Sequence, residues 1–462
     1  MSADPAAAAG PAGQHALYHA IADAGSIDRF GERIEAGNPS GWPGYEEQLR
    51  RARKAAGAPH AVTTGVATAG GEPCVIVGFE FAFMGGSMGV AEGARIARAF
   101  SVATAKRLPV VCVAASGGSR MQEGTSALVQ MQAVAAAIAA ARSAGIPLIA
   151  VAGDPTTGGV WASLVAAADV LIGVPGARVS FSGSRTRPAG ADPGSAEFLA
   201  DGKWAHGFVD VLSPVDGLRA VVGTLVRLLS PRSRGANADR VALPAPPAGP
   251  GGGDPGREAW AQVDGARSTR RDRAASWLAG YFEETFEIRG DRCGGVDAGL
   301  RCGFGRRGSA TVGYVAQTGR PTTPAGFRTA TRLLALATRF GRPVLTLIDT
   351  PGAAAAPADE AAGTGPAIAE LFVAVASCQV PITSVIIGEG VSGGALALAS
   401  PTDLWLAHDG YLAVTAPELA TSILKLPAHD APGVARRLRL TPAELLSRGI
   451  IRGIVPPPGA GG

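Results

Sequence analysis

The sequence predicts an α/β protein made of two similar halves, and three observations support this prediction. Strand-like apolar runs alternate with helix-like stretches, a proline- and glycine-rich segment divides the chain, and one pattern of strands and glycines occurs twice. The chain has 462 residues, of which 47% are apolar and 17% charged. That composition is typical of a folded chain with large cores, and the length suggests about two to four domains.

The proline- and glycine-rich segment is residues 242–256, which carry a single charge and are expected to form a linker. It separates a first domain at residues 16–241 from a second domain at residues 257–462. Residues 1–15 are expected to be a flexible tail.

Charge and hydropathy exclude several classes of function. The net charge of +4 comes from 42 basic and 38 acidic residues, which is too balanced to favour nucleic acid or an anionic membrane as a partner. The longest smooth apolar run, residues 133–141, is about half of the ~20 residues that a membrane-spanning helix needs. The first residues lack a signal-peptide pattern, so we expect a cytoplasmic protein.

In the first half, the apolar run at residues 108–116 predicts a strand buried on both faces. It ends at Gly117 and Gly118, and a helix-like stretch follows. Residues 146–154 predict a second buried strand, which is followed by Gly158 and Gly159 and by another helix-like stretch. This succession of strand, glycines and helix is the unit from which we expect the half to be built.

The second half repeats this unit at a constant offset, the one that leads from Leu108 to Arg342. Residues 342–352 repeat the pattern of 108–118, and residues 380–394 repeat that of 146–160. At the same offset Asp169 corresponds to Asp403, and Gly176 to Gly410. Two strand-and-glycine units in one register predict a duplicated domain; a solenoid would have a period of about 20–50 residues.

The glycines at the strand ends are candidates for anion recognition. The spacing from Gly118 to Gly159 equals the spacing from Gly352 to Gly393. Ligands gather at the carboxyl ends of strands in α/β sheets, and two N–H groups that converge on one oxygen form an oxyanion hole. Each half therefore predicts one such hole. The alternative is that these glycines are tight turns and helix starts in a chain that contains 65 glycines.

Other catalytic chemistry is sparse. The six histidines lie outside the glycine motifs, and HExxH, CxxC and phosphate-loop motifs are absent from the sequence. Glu123 and Glu389 flank the glycines as acids or bases, or as structural carboxylates. Cys112 is expected to be a core residue. Arg120 is either a surface cation or a contact to an anion.

Several motifs resemble the β and α subunits of bacterial acetyl-CoA carboxylase carboxyltransferase. The first half resembles the β subunit in FAFMGGSMGVAEGARIARAF (81–100), SGGSRMQEG (116–124), DPTTGGVWAS (154–163) and AEFLADG (196–202). The second half resembles the α subunit in FEIRGDR (286–292), IDTPGA (348–353), IGEGVSGGALAL (387–398), ELATSIL (418–424) and LTPAELLSRGII (440–451).

The resemblance implies that both halves are crotonase-like (ClpP/crotonase) domains of repeated ββα units. It implies transfer of a carboxyl group from carboxybiotin to an acyl-CoA, typically acetyl-CoA, which gives malonyl-CoA for fatty-acid or polyketide synthesis. The partners would be a biotin carboxyl carrier protein and a biotin carboxylase as separate chains of an ATP-dependent complex. A homodimer or higher homo-oligomer is also implied. Biotin itself can take the α-proton, so this reaction requires no protein base.

The resemblance also implies the site residues. The catalytic glycines facing the thioester would be Gly117, Gly118, Gly158 and Gly159. The residues facing biotin would be Gly352, Ala353, Gly393 and Gly394. Substrate-binding neighbours would be Ser116, Arg120, Thr157 and Ser392.

Three features depart from the family pattern. The four-cysteine zinc ribbon of the β subunit is absent from this sequence, the basic segment at residues 316–328 is reduced, and the loop at residues 353–365 is rich in alanine. Alternatives are therefore another acyl-CoA such as propionyl-CoA, net decarboxylation of a malonyl thioester, or a non-catalytic scaffold. Glycines retained at the predicted holes argue against the scaffold.

We predict that the protein binds no structural zinc and no tightly bound cofactor. Its five cysteines are odd in number and none forms a CxxC pair, which favours a reducing compartment over a disulfide framework and excludes the usual zinc-ribbon ligands. Elemental analysis of the purified protein should show far less than one zinc per chain. A stoichiometric zinc content that resists chelation would contradict this prediction.

Overall fold

The computed structural model describes residues 16–31, 34–35, 37–183, 192, 194–231 and 258–455. The chain divides into two compact units. Unit 1 is Met1–Lys203 with Leu212–Arg227, and unit 2 is Trp204–Val211 with Leu228–Gly462. Unit 2 thus includes a short piece of the first half. The predicted tail and the predicted linker, residues 1–15 and 242–256, lie outside the described residues.

The described residues of unit 1 contain one mixed sheet with the strand order β1-β2-β3-β4-β5-β6-β8, and β7 pairs with β5. Strands β1 to β3 pair antiparallel, and β3 to β6 pair in parallel. The strands are β1 (Asp28–Arg29), β2 (Val62–Ala69), β3 (Glu72–Phe79), β4 (Val110–Ser116), β5 (Leu148–Thr157), β6 (Val170–Gly173), β7 (Val179–Ser180) and β8 (Val211–Leu212). The helices of the first half are α1 (Tyr18–Ile21), α2 (Tyr45–Ala56), α3 (Val90–Lys106), α4 (Gly124–Leu128), α5 (Gln130–Ser143), α6 (Gly158–Val160), α7 (Ala200–Ala205) and α8 (Leu218–Leu229).

The described residues of unit 2 contain a second sheet with the order β9-β10-β11-β12-β13-β14-β16, and β15 pairs with β13. Its strands are β9 (Glu284–Ile288), β10 (Leu300–Arg307), β11 (Ala310–Gln317), β12 (Val344–Thr350), β13 (Ile382–Val391), β14 (Leu404–Ala407), β15 (Tyr411–Ala413) and β16 (Gly453–Val455). Its helices are α9 (Ala259–Arg267), α10 (Ala274–Tyr281), α11 (Pro324–Phe340), α12 (Pro357–Ala361), α13 (Thr364–Ala376), α14 (Ser392–Leu396), α15 (Pro417–Ile423), α16 (Ala431–Leu438) and α17 (Pro442–Ser447).

Local signals explain the long helices that follow the antiparallel strands. Helix α3 begins after Gly89, whose N–H donates to Glu92 Oε2 at 3.0 Å. Helix α11 has Thr323 at its N-cap, proline at its first position and Gly341 in the left-handed conformation at its end. Each of these helices is followed by a buried parallel strand, β4 in unit 1 and β12 in unit 2.

The structure confirms the α/β fold class and the duplication. Val110 of β4 pairs with Leu148 of β5, and Val344 of β12 pairs with Ile382 of β13. The register shifts between Ala114 and Ser116 in the first pair and between Ile348 and Thr350 in the second. Since the constant offset of the repeat relates each of these positions, the two halves share even the irregularity at which the strands approach the predicted glycines.

No single helix among the described residues is long and apolar enough to cross a membrane. Within the same part of the chain, one bent pair, Met121–Leu128 with Gln130–Ser143, is long and apolar enough when its two segments are taken together across their bend of 42°.

Candidate functional site

Residues 116–119, here called the Ser116 turn, begin at the last residue of β4 and lie against the end of β5 in unit 1. Gly118 has φ of +107° and Gly158 has φ of +62°, conformations that favour glycine. A Cβ added to Gly118 would lie 3.3 Å from Cα of Gly158. The predicted glycines at the two strand ends are therefore brought together, and both positions favour glycine in conformation and in the space that a Cβ would need.

Hydrogen bonds within unit 1 already occupy three of the four predicted glycine amides. Gly117 N–H donates to Gly85 O at 2.9 Å, and Gly158 N–H donates to Phe181 O at 3.0 Å. Gly118 N–H donates to Ser116 Oγ at 3.1 Å. Because these three N–H groups already donate within the protein, the amides that can donate to a ligand must be other ones.

Ser119 supplies one such amide. It forms a parallel bridge with Met88, in which Met88 N–H donates to Gly118 O at 2.8 Å and Arg120 N–H donates to Met88 O at 2.9 Å. Because the residues on either side of Ser119 make both bonds, its own N–H points away from Met88. Gly159, in the first turn of α6, has an N–H without an intrahelical acceptor.

Unit 2 repeats this geometry in residues 350–353, here called the Thr350 turn. Gly352 has φ of +131°, and its N–H donates to Thr350 Oγ1 at 3.1 Å. Ala353 bridges Thr322, with Thr322 N–H donating to Gly352 O at 3.1 Å and Ala354 N–H donating to Thr322 O at 2.8 Å. The N–H of Ala353 therefore points outward, as that of Ser119 does.

The residues at the start of α14 have three different roles. Ser392 has φ of +63°, which matches Gly158 at the equivalent position. A Cβ added to Gly394 would lie 2.5 Å from the nitrogen of Ala353, so this glycine lets the helix approach the Thr350 turn closely. Gly393 has open space around its Cβ position, and its N–H lies in the first turn of the helix.

The comparisons with known proteins agree with this duplicated arrangement. A family model described as acetyl co-enzyme A carboxylase carboxyltransferase-like matches residues 257–462, and one described as a carboxyl transferase domain matches residues 36–187. The chain is 36% identical over 474 residues to the acetyl-coenzyme A carboxylase carboxyl transferase subunits beta/alpha of Saccharopolyspora erythraea, covering 97% of this chain and 81% of that protein. The chain belongs to the biotin-dependent acyl-CoA carboxyltransferase family. It is a transferase whose two halves correspond to fused β and α subunits.

Two further comparisons bear on substrate and fold. The chain is 31% identical to a probable biotin-dependent acyl-coenzyme A carboxylase beta3 subunit of Mycobacterium bovis, covering 95% of this chain and 88% of that protein. The transcarboxylase 12S core, a hexamer solved with hydrolysed methylmalonyl-coenzyme A, superimposes with a TM-score of 0.77 at 19% identity and covers 96% of this chain and 86% of that one. This neighbour confirms the predicted crotonase-like carboxyltransferase fold.

Arg120 of this carboxyltransferase is a structural residue, which corrects both sequence interpretations of it. It is only 1% exposed. Its Nη1 lies 3.0 Å from Glu92 Oε2 and 3.1 Å from Glu123 Oε1, and its Nη2 donates to Ser87 O at 2.6 Å. A guanidinium enclosed by two carboxylates is neither a surface cation nor free to bind a substrate carboxylate.

Ser116 and Thr157 are also buried, and their hydroxyl groups are bonded within the protein. Ser116 Oγ donates to Gly86 O at 2.6 Å while it accepts from Gly118, and Thr157 Oγ1 donates to Ser116 O at 3.3 Å. Ser392, the fourth predicted neighbour, is exposed at the start of α14. Of the four, it alone presents its side chain to solvent.

The other candidate groups are structural as well. Glu123 accepts from Val90 N–H at 2.6 Å and from Tyr45 Oη at 2.5 Å, so its carboxylate lies at the start of α3. Glu389 pairs with Arg267 at 2.9 Å and accepts from Tyr411 Oη at 2.7 Å. Burial raises the pKa of the Cys112 thiol, which fits the predicted core role.

Sequence reasoning missed Ser119 as a candidate donor. It placed Ala353 in the second predicted hole, and the constant offset between the halves leads from Ala353 back to Ser119. The emphasis on glycine directed attention to Gly118 instead. The signal was therefore present in the duplication, although the direction of the N–H depends on the bridge to Met88.

We predict that Arg120→Met lowers the free energy of unfolding by about 3–5 kcal/mol, because two buried carboxylates lose their cation. Urea unfolding followed by circular dichroism measures the change. Arg51→Met is the control, since it removes a pair with Glu47 in which the arginine side chain is 79% exposed. The control should leave the unfolding midpoint unchanged, and an equal loss in both variants would contradict the assignment.

Proposed function

We propose that this protein transfers the carboxyl group of carboxybiotin, presented on a separate carrier protein, to acetyl-CoA and so forms malonyl-CoA. The observation that supports this most is the duplicated turn. The reaction passes through two oxyanions, the ureido oxygen of biotin and the enolate oxygen of the thioester. Ser119 with Gly159, and Ala353 with Gly393, are two sets of outward backbone donors for two oxyanions.

The proposed mechanism uses these donors at different moments. The N–H groups of Ala353 and Gly393 stabilise the ureido oxygen as the N–carboxyl bond breaks and CO2 leaves. The N–H groups of Ser119 and Gly159 stabilise the thioester oxygen as the α-carbon loses its proton to the ureido nitrogen. The enolate carbon then attacks CO2 and forms the new C–C bond. Donors fixed before the reaction need no reorganisation as charge develops.

The bonded carboxylates of Glu123 and Glu389 fit a reaction that uses no protein base. Glu123 is enclosed by Arg120, Tyr45 and the start of α3, and Glu389 is bound to Arg267 and Tyr411. Both carboxylates already accept hydrogen bonds from an arginine and a tyrosine of the protein. Proton transfer between the two substrates accounts for this without an additional residue.

Acetyl-CoA is the proposed acceptor because the Saccharopolyspora relative is named for it and aligns with 97% of this chain. Propionyl-CoA or another acyl-CoA is the second candidate, since the Mycobacterium relative is named only for acyl-coenzyme A. A non-catalytic scaffold is disfavoured. A side chain at residue 393 would meet no neighbouring atom within 4 Å, so folding alone does not explain why this residue is glycine.

We further propose that the enzyme works as a homodimer or higher homo-oligomer. Large apolar side chains are exposed in both units. They are Met121 and Phe181 in unit 1 and Val414 and Ile423 in unit 2, which are 72%, 71%, 72% and 65% exposed. Phe181 also accepts the hydrogen bond from Gly158. We propose that a second copy of the chain packs against these side chains, because exposed apolar side chains favour association.

We predict that Gly393→Val lowers the rate of carboxyl transfer from malonyl-CoA to biocytin by roughly 10²–10³, because the added side chain pushes the oxyanion away from its N–H donors and the loss of one donor contact has an effect of this size. The affinity for the CoA ester, measured by calorimetry, should not change. Gly393 accepts a side chain without a clash, so the variant should fold. Gly159→Val should instead weaken the CoA-ester side.

Gly433→Val is the matched control, because Gly433 also has open space around its Cβ position and lies in α16. It should keep the wild-type rate. An equal loss of CoA-ester binding in Gly393→Val and Gly159→Val, with folding unchanged, would refute the division of roles. A higher rate with propionyl-CoA than with acetyl-CoA would change the substrate and leave the chemistry in place.

We predict that the inactive Gly159→Val and Gly393→Val proteins complement each other when they are co-expressed. If the cooperating turns belong to different copies of a dimer, random pairing restores one intact site in the mixed dimer, about one quarter of the wild-type rate. Sizing chromatography with light scattering gives the oligomeric state. A mixture as inactive as its components would mean that one copy supplies both turns.

A further inference from the structure

We propose that Asp349, held by Arg271 and Arg273, is a positioning residue for the donors of unit 2. This inference rests on the proposed function, in which the Thr350 turn and Gly393 stabilise the ureido oxyanion of biotin. Asp349 immediately precedes Thr350 in β12. Its role is to fix the ends of β12 and β13 relative to each other, so that their N–H groups meet one oxygen.

The carboxylate of Asp349 is fully buried between two arginines. Both of its oxygens accept from Arg271 Nη2 at 2.6 Å, and Oδ2 also accepts from Arg273 Nη1 at 3.1 Å. The Arg271 side chain is 3% exposed, whereas that of Arg273 is 37% exposed. A buried ion pair with several charge-assisted hydrogen bonds restricts the geometry of every group that it joins.

The same cluster joins both strands that carry donors. Asp349 Oδ1 accepts from Glu389 N–H at 3.1 Å. Glu389 lies on β13, three residues before Ser392 at the start of α14. Arg271 Nη1 donates to Ile387 O at 3.0 Å, also on β13. The backbone oxygen of Asp349 accepts from Gly319 N–H at 2.8 Å. The carboxylate of Asp349 thus connects β12 to β13 shortly before the residues Ala353 and Gly393, which follow these two strands.

Glycines make room for this cluster. A Cβ on Gly388 would collide with Arg271 and with Asp349 Oδ1, and a Cβ on Gly319 would collide with Arg273. The Arg273 contact is the least enclosed of the three arginine–carboxylate hydrogen bonds. It can therefore be removed without leaving Asp349 unpaired.

Unit 1 shows that the turn itself does not need the cluster. Ala115 occupies the position equivalent to Asp349, and Pro155 the position equivalent to Glu389. The Ser116 turn nevertheless has the same hydroxyl-to-amide hydrogen bond and the same bridge as the Thr350 turn. Unit 1 has no carboxylate at these two positions, although its turn matches that of unit 2. We therefore connect the cluster with the step proposed for unit 2, the stabilisation of the ureido oxyanion.

The test compares two variants of the full-length protein in malonyl-CoA:biocytin carboxyl transfer. Arg273→Met keeps the Arg271–Asp349 pair, and the double variant Arg271→Met/Asp349→Asn removes both buried charges together. We expect the double variant to lower kcat with biocytin about 10-fold or more, and Arg273→Met to lower it to a smaller extent. The calorimetric affinity for the CoA ester should stay at the wild-type value in both variants.

Arg452→Met is the control, because it removes another arginine–aspartate pair of unit 2, Nη1 to Asp403 Oδ1 at 3.0 Å, at the amino end of β14. It should leave both substrates unaffected. Biocytin kinetics of Arg273→Met equal to those of the control would overturn the positioning role, and so would matching losses for biocytin and CoA ester. Failure of the wild-type protein to carboxylate biocytin would instead refute the proposed function.

Discussion

The hydrogen bond from a glycine N–H to the hydroxyl two residues earlier is the constraint on which both candidate sites depend. It joins Gly118 to Ser116 in one half and Gly352 to Thr350 in the other, at 3.1 Å in each. The bond uses the glycine amide and turns the chain at positive φ, so the next residue meets a neighbouring segment as a parallel bridge. That bridge decides which amide points outward. The glycine that the sequence predicts as the donor uses its N–H within the turn, and the N–H of the next residue points outward.

The duplication preserves this turn while the support behind it differs. In unit 1 a buried guanidinium, Arg120, lies between the carboxylates of Glu92 and Glu123. In unit 2 a buried carboxylate, Asp349, lies between the guanidinium groups of Arg271 and Arg273. Buried ion pairs add little net stability but are strongly destabilising when one partner is lost. Their value here is geometric, because each cluster connects the turn to elements distant in the chain.

The sequence was sufficient for the parts that depend on pattern and spacing. Apolar runs located the central strands of both sheets, and the constant offset between the halves located the second copy of the duplicated unit. Hydrogen-bond direction and burial could not be predicted. Arg120 follows soon after the exposed Gly117 and is nevertheless enclosed, because Glu92 and Tyr45 come from helices far away in sequence. Likewise Arg271 precedes Asp349 by a long stretch of chain, and no local signal connects them.

Backbone donors stabilise an oxyanion without recognising the rest of the molecule, and this limits what the turns can explain. Both turns offer the same kind of N–H group, yet the proposed reaction assigns them to a thioester and to a ureido ring. Three of the four turn positions differ, with Ser116, Gly117 and Ser119 in unit 1 against Thr350, Pro351 and Ala353 in unit 2, but both turns keep the hydroxyl and the glycine that it binds. At the start of the following helix, Gly158 stands where unit 2 has Ser392. Selectivity must therefore come from side chains around the turns. In the proposed reaction the turns supply transition-state stabilisation, and the surrounding residues, which the duplication did not preserve, determine which oxygen reaches each of them.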